Sequence, residues 1–211
     1  MLWIITGIII SYLIGSIPTA YIFGRLLKDI DIRKFGSGNV GATNAARLLG
    51  KEAGLAVLVI DIVKGLIAVL ALGSVFSLRI TGISQEVWRF IFGLSCICGH
   101  SWSVFLGFKG GKGIATSLGV LLGLAISIPA LRLMLLLALL TWVAIFILTR
   151  IVSLASVLSA LCLPVYAFIL SRQITTLLII TLLSAFIILR HKSNITRLLQ
   201  GKEKKFSFKK A

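Results

Sequence analysis

Three short segments carry residue types suited to holding anions. Gly107-Phe-Lys-Gly-Gly-Lys-Gly113 sets two lysines among glycines and runs into Ile114-Ala-Thr-Ser117, the start of an apolar stretch. A helix beginning there would turn backbone N–H groups and the positive end of its dipole toward Lys109 and Lys112, which makes a phosphate cradle. It is not a Walker A loop, because Lys112 is followed by Gly113 rather than Ser or Thr. The second segment, Asp31-Ile-Arg-Lys-Phe-Gly-Ser-Gly-Asn-Val-Gly-Ala-Thr-Asn-Ala-Ala-Arg47, places Gly36, Gly38 and Gly41 among Ser37, Asn39, Thr43 and Asn44. Glycine lets backbone amides approach a ligand closely. Thr43 or Asn44 could cap a short helix ending near Leu49-Gly50, and Arg47 would suit an anion. In the third segment Arg190, Asn194 and Arg197 fall at i, i+4 and i+7, one face of a continuous helix, with His191 beside Asn194. Arginine binds phosphate through paired hydrogen bonds, and histidine exchanges a proton near neutral pH. Each segment also has a plainer use: an interfacial loop, a basic loop that fixes orientation, and an amphipathic helix on lipid headgroups.

The elements that must position these segments are apolar. Seven apolar runs recur, at about 2–24, 54–76, 88–107, 113–131, 133–149, 153–170 and 174–190. A helix of about 20 residues crosses the hydrocarbon core. The runs are continuously apolar rather than alternating, which favours helices over a barrel. Pro129 and Arg132 predict that 113–149 is two helices rather than one. The first run lacks a basic leader and a small-residue cleavage site, so it reads as a retained membrane helix.

Composition agrees. The 211 residues are 58 % hydrophobic and 13 % charged, with mean hydropathy +1.08. A soluble domain has about 45–50 % and about 25 %. The expectation is an all-α integral membrane protein with about seven transmembrane helices. Residues 1–200 form a single polytopic membrane domain and 201–211 a basic tail. Of the 22 Lys and Arg, Arg79, Arg89, Arg132 and Arg172 fall on one side, Lys64 lies inside the second run, and the other 17 fall on the opposite side. The positive-inside rule then puts the N-terminus outside and the C-terminus in the cytoplasm. That orientation sends all three polar segments to the cytoplasmic face, so the glycine-rich loops there are expected to form the site. The excess of base calls for anionic partners or lipid, and nucleic acid is not expected.

Smaller features lie between. Asp61 and Lys64 sit three residues apart within an apolar run, where charges are costly, so a mutual pair or a functional contact is expected. Ser153 and Ser156 begin the sixth run and could either donate to phosphate or serve helix packing. His100 reads as a packing or interface residue, with catalysis the alternative, and Trp3, Trp88 and Trp102 read as belt or packing residues. Cys96, Cys98 and Cys162 read as small buried hydrophobes, and no ligand set with metal spacing exists.

The order of these pieces resembles the bacterial integral-membrane glycerol-3-phosphate acyltransferases that use acyl phosphate as donor. The resemblance runs from Gly15-Ser-Ile-Pro18 through Gly36-Ser-Gly-Asn-Val-Gly-Ala-Thr-Asn44, Asp61-Ile-Val-Lys-Gly65, Gly99-His100, Phe105-Leu-Gly-Phe-Lys-Gly-Gly-Lys-Gly113, Ser153-Leu-Ala-Ser156 and Arg190-His-Lys-Ser-Asn-Ile195 to Gly201-Lys-Glu203. Ser103 departs from it, standing where proline is expected. The resemblance implies a seven-helix fold in the bacterial inner membrane with a cytoplasmic active site. It implies acyl transfer to the 1-hydroxyl of sn-glycerol 3-phosphate, giving lysophosphatidic acid and phosphate in phospholipid biosynthesis. No cofactor or metal is implied.

On that resemblance, Lys109, Gly110, Gly111, Lys112 and Gly113, with Ser37 and Ser156, would hold the acyl phosphate and its leaving group. Arg47, Arg190 and Asn194 would hold glycerol 3-phosphate, with Asn39 and Glu203 among the substrate contacts. His191 would orient the glycerol or assist proton transfer, and a substrate phosphate oxygen could instead be the base. Ser37, Lys112, His191 and Asn194 are the expected catalytic residues. An organic-anion transporter would also explain helices and basic loops, but it predicts repeat symmetry and mid-membrane polar residues beyond Asp61 and Lys64. No acid follows His100 or His191 at the spacing of the histidine–aspartate acyltransferases.

Overall fold

A computed structural model describes residues 2–77, 82–171 and 173–206. Arg79, Arg172, Lys209 and Lys210, used above for orientation, lie outside these residues, as does the end of the basic tail. The described residues are helical, without strand. They fall into two compact units, one through Leu124 and one from Ala125.

The first unit holds α1 (Leu2–Ser16), α2 (Thr19–Lys28), α3 (Ala42–Leu49), α4 (Lys51–Ile67), α5 (Gly73–Ser77), α6 (Gln85–Ser101) and the start of α7 (Ile114–Ser127). α4 reaches α5 through one wider helical turn at Ala68–Leu72. Pro18 separates α1 from α2, since proline has no N–H to continue the ladder. Small residues let these helices touch backbone to backbone. A Cβ on Gly15 would lie 1.9 Å from the Cys96 carbonyl oxygen, and one on Gly65 2.3 Å from that of Thr116. Close approach of this kind is how apolar helices associate where burial from water drives nothing.

The second unit holds the end of α7, then α8 (Ala130–Thr149), α9 (Val152–Leu170), α10 (Ile174–Arg190) and α11 (Lys192–Leu199). The break expected near Pro129 and Arg132 is present. Arg132 Nε donates to Ala125 O at 3.0 Å and Nη2 to Ile126 O at 3.3 Å, so its guanidinium satisfies the last carbonyls of α7. α8 and α9 are joined by Ser159 Oγ donating to Ala138 O at 2.6 Å and by a 2.7 Å bond between Thr141 and Tyr166.

Every one of the seven apolar runs is helical. Among the described residues five helical spans are long and apolar enough to cross a membrane, and six if the bent pair α10–α11 counts as one. α7, at 14 residues, is shorter than that. The continuous face expected for Arg190, Asn194 and Arg197 is not present. The chain leaves the helical path at His191 and α11 sets off at 61° to α10, so only Asn194 and Arg197 share a helix.

Candidate active site

In the first unit the 31–47 segment is a built loop rather than a loose connection. Asp31 accepts from Arg33 N at 3.0 Å and from Arg33 Nε and Nη2 at 2.9 and 2.8 Å, which caps the short turn Ile32–Lys34. These bonds from Arg33 hold the Asp31 carboxyl at about 2, well below its ordinary value. Gly36 and Gly38 adopt positive φ, +64° and +69°. Neither Thr43 nor Asn44 caps α3: Gly41 occupies the cap position without a side-chain bond. Asn44 is instead the buried spine of the loop. Its Oδ1 accepts from Ser37 N at 2.9 Å, and its Nδ2 donates to Ile32 O and Phe35 O, each at 3.2 Å. Ser37 is thereby held at the exposed rim, while Asn39 and Arg47 are half-buried.

The lysine–glycine segment meets this loop. Gly110 N donates to Ser101 O at 3.3 Å and Gly111 N to His100 O at 3.0 Å, so the turn hangs from the C-terminal carbonyls of α6. A Cβ on Gly111 would lie 2.6 Å from Val40 O, which brings the two glycine-rich segments into contact. Gly113 has φ +79°, and its carbonyl accepts from Ser117 N at 2.7 Å as α7 begins. Lys109 is exposed and Lys112 half-buried at that helix start. Thr116 and Ser117, in the first turn of α7, are buried with hydroxyls that have no hydrogen-bond partner among the described residues.

Beneath the turn lies a buried polar network. Asp61 and Lys64 do pair, at 2.7 Å. Thr19 Oγ1 donates to Asp61 Oδ1 at 2.9 Å, and Lys64 Nζ donates also to Ile17 O at 2.5 Å and to Thr19 Oγ1. His100 Nδ1 stands 3.9 Å from the same Asp61 oxygen. Composition exposed the pair, but nothing in the sequence tied it to Thr19 or His100, which lie 42 and 39 positions from Asp61. At Ser103 the departure from proline is accommodated by a hydroxyl that donates to Ser16 O at 2.5 Å.

In the second unit Glu203 gathers three donors. Ser153 Oγ donates to Oε1 at 2.7 Å, Asn194 Nδ2 to Oε1 at 2.6 Å, and Arg197 Nε to Oε2 at 2.7 Å. Burial raises the Glu203 pKa, but the hydrogen bonds from Ser153, Arg197 and Asn194 outweigh it, and the net shift is downward. Because Asn194 spends Nδ2 on a carboxylate, its amide orientation is fixed, and its buried Oδ1 is left without a hydrogen-bond partner. His191 is buried, and its Nδ1 lies 2.8 Å from Ile187 O. A carbonyl only accepts, so Nδ1 carries the proton and the basic nitrogen of the neutral ring is Nε2. Arg190, half-buried, ends α10. Ser156 Oγ donates to Val152 O at 2.9 Å and accepts from Trp142 Nε1 at 3.1 Å, within the α8–α9 packing. Sequence reading missed Arg33, Arg197 as a partner of Glu203, and Trp142. Of these, only Arg197 carried a signal, its spacing from Asn194.

Comparison with known proteins gives one answer. The family model described as glycerol-3-phosphate acyltransferase matches residues 5–201. A glycerol-3-phosphate acyltransferase of Fusobacterium nucleatum is 43 % identical over 95 % of this chain and 97 % of its own. That of Desulforudis audaxviator is 46 % identical over 95 % and 94 %. A crystal structure of PlsY, an integral membrane glycerol 3-phosphate acyltransferase, in its glycerol 3-phosphate form superposes with a TM-score of 0.82 at 37 % identity. It covers 97 % of this chain and 96 % of that one. The lysophosphatidic acid form of PlsY gives 0.80 at 36 % identity, with the same coverage.

Proposed function

The chain belongs to the glycerol-3-phosphate acyltransferase family, and from that premise we propose that it moves a fatty acyl group from acyl phosphate to the 1-hydroxyl of sn-glycerol 3-phosphate. The products are 1-acyl-sn-glycerol 3-phosphate (lysophosphatidic acid) and inorganic phosphate, an early step of phospholipid biosynthesis. The enzyme is a multi-pass membrane protein. The 17 basic residues on one side support an N-terminus outside the bacterial inner membrane, with the chemistry on the cytoplasmic face.

The observation that carries the donor assignment is the lysine–glycine turn suspended from the end of α6 at the start of α7. It offers two ammonium groups and a helix start, but no nucleophile. An acyl phosphate is a mixed anhydride and is already activated, so it needs none. It needs the attacking oxygen held about 3–3.5 Å from the carbonyl carbon, and stabilisation of the developing charge. Lys109, Gly110, Gly111, Lys112 and Gly113 receive the acyl phosphate, with Ser37 at the rim of the neighbouring loop and Asn39 lining it. Lys112 neutralises the leaving phosphate.

Arg47 and Arg190 receive the phosphate of glycerol 3-phosphate. The Asn194 Oδ1 is an acceptor, which suits a glycerol hydroxyl and not a phosphate. The 1-hydroxyl oxygen attacks the acyl carbon, the bond from that carbon to the phosphate oxygen breaks, and phosphate departs. The hydroxyl proton goes to His191 Nε2 or to a phosphate oxygen. Glu203 belongs to the substrate contacts through Asn194, a role supported by the three bonds that hold Asn194, Arg197 and Ser153 around its carboxylate. Ser156 contacts the acyl phosphate as well, from a hydroxyl that also bonds Val152 O and Trp142 Nε1 in the α8–α9 packing.

The test is phosphate release by the purified protein with palmitoyl phosphate and glycerol 3-phosphate, run beside palmitoyl-CoA. Phosphate and lysophosphatidic acid are expected only when acyl phosphate and glycerol 3-phosphate are both present. Lys112→Ala is expected to lose about 10²-fold in kcat/KM, the scale of one removed charge-stabilising donor. Turnover with palmitoyl-CoA alone would overturn the donor, and near-normal turnover of folded Lys112→Ala would overturn the cradle.

A further inference from the structure

We propose that His100 is a positioning residue for the acyl-phosphate cradle, backed by the buried Asp61–Lys64–Thr19 network beneath it. The proposal rests on the lysine–glycine turn being that cradle. His100 touches the turn in two ways. Its carbonyl takes the Gly111 N–H at 3.0 Å. Its ring packs against the same residue: a Cβ on Gly111 would meet His100 Nε2 at 2.3 Å, and one on Gly110 would meet His100 O at 2.1 Å. The two central glycines therefore lie directly on His100, and any larger residue would lift the turn away.

The ring is enclosed, with its side chain 8 % exposed, and its Nδ1 lies 3.9 Å from Asp61 Oδ1, an electrostatic contact rather than a hydrogen bond. That oxygen also accepts from Lys64 and Thr19. Lys64 in turn reaches Ile17 O, in the break that Pro18 makes between α1 and α2. Ser16, Ile17, Thr19, His100, Ser103 and Gly110 line one cavity of about 10 Å³, room for a single water. The charged pair therefore has a use that a mutual salt bridge alone does not explain. Bringing two charges into low dielectric carries a desolvation penalty, and replacing such a pair by apolar residues is often neutral or better for stability. What an apolar pair could not do is set a carboxylate beside the Nδ1 side of the imidazole on which Gly110 and Gly111 rest. A displacement of about 1 Å at a substrate-holding element is enough to cost up to about 10²-fold.

A structural role alone would lower stability and leave both Michaelis constants alone or disturb them together. A positioning role separates them. In the purified full-length protein, His100→Ala should raise the KM for palmitoyl phosphate about tenfold or more, with the KM for glycerol 3-phosphate within about twofold of wild type. His100→Gln keeps a long polar side chain under the turn and should fall between the two. Equal changes in the two constants, or an unchanged KM for palmitoyl phosphate, would overturn the proposal. If the alanine protein does not fold, His100→Gln decides by the same split. Wild-type protein inert toward palmitoyl phosphate would sink the donor reading and this proposal together. An active wild type with a flat His100 series would sink this proposal only.

Discussion

Glu203 is a carboxylate pinned by three donors, and its removal can be worked through contact by contact. In Glu203→Ala, Ser153 and Asn194, both buried, lose their acceptor. A buried donor left unpaired costs about 1–3 kcal/mol. The Arg197 contact adds less, because its side chain is 41 % exposed, and exposed pairs are worth about 0.2–1 kcal/mol. The contacts share one partner and do not add fully, so about 3 kcal/mol is expected for alanine. Glu203→Gln keeps a carbonyl oxygen that can accept from Ser153 and Asn194 and loses chiefly the Arg197 charge. About 0.5–1 kcal/mol is expected there.

For a chain of this length 1 kcal/mol moves the melting temperature by about 2–4 °C, so alanine should lower it by roughly 6–12 °C and glutamine by about 1–4 °C. Thermal unfolding of the purified proteins in one detergent, followed by intrinsic fluorescence, reads this directly. Asn194 is unpinned only in the alanine variant, so the KM for glycerol 3-phosphate should rise there and stay near wild type in glutamine. The folded pKa of Glu203 is depressed, so its contribution is complete above the ordinary carboxylate value and is lost as pH falls through the folded value. A glutamine variant as destabilised as alanine would refute the reasoning, since charge rather than acceptor geometry would then dominate. So would an alanine variant that melts with wild type.

Three further outcomes follow from the same geometry. Asp61→Asn or Lys64→Met alone should destabilise by about 3–5 kcal/mol by leaving one buried charge unpaired, and the double variant should regain most of that in thermal unfolding. Asp31 titrates at about 2, below its ordinary 3.8. Wild type should therefore lose stability as pH falls from about 4 toward 2, and Asp31→Asn should show a shallower decline in melting temperature over that window. Gly65→Ala places a methyl 2.3 Å from the Thr116 carbonyl. It should cost about 1–3 kcal/mol of overpacking, seen as a lowered melting temperature in the purified protein.

Much of this molecule is legible in the sequence. Continuously apolar runs with almost no charge favour helices in lipid, so the helical class and the positions of the runs followed from composition, whereas five or six rather than seven described spans are long and apolar enough to cross a membrane. Pro129 with Arg132 marked a break, while Pro164 sits inside α9 without ending it, so proline alone did not decide where helices stop. The three polar segments stood out because a plain connection needs neither the glycines of the first two nor the clustered cations of all three. Asp61 and Lys64 announced a pair because each is intolerable alone in an apolar run. The tertiary structure decided what depends on direction and on distant partners. The bend at His191 removed Arg190 from the face that helical spacing gave it, because one non-helical residue redirects everything after it. Asn44 sits in the sequence like a helix cap, yet it is the spine of a loop, since Ile32, Phe35 and Ser37 fold back around it. Glu203 lies in a tail that reads as solvated charge, and only folding brings Ser153, 50 positions away, to its carboxylate. His100 stood out as a residue but not as a partner of Gly111: the loop after α6 folds back over the end of that helix, and only this return brings the Gly111 N–H to the His100 carbonyl and its α-carbon onto the ring.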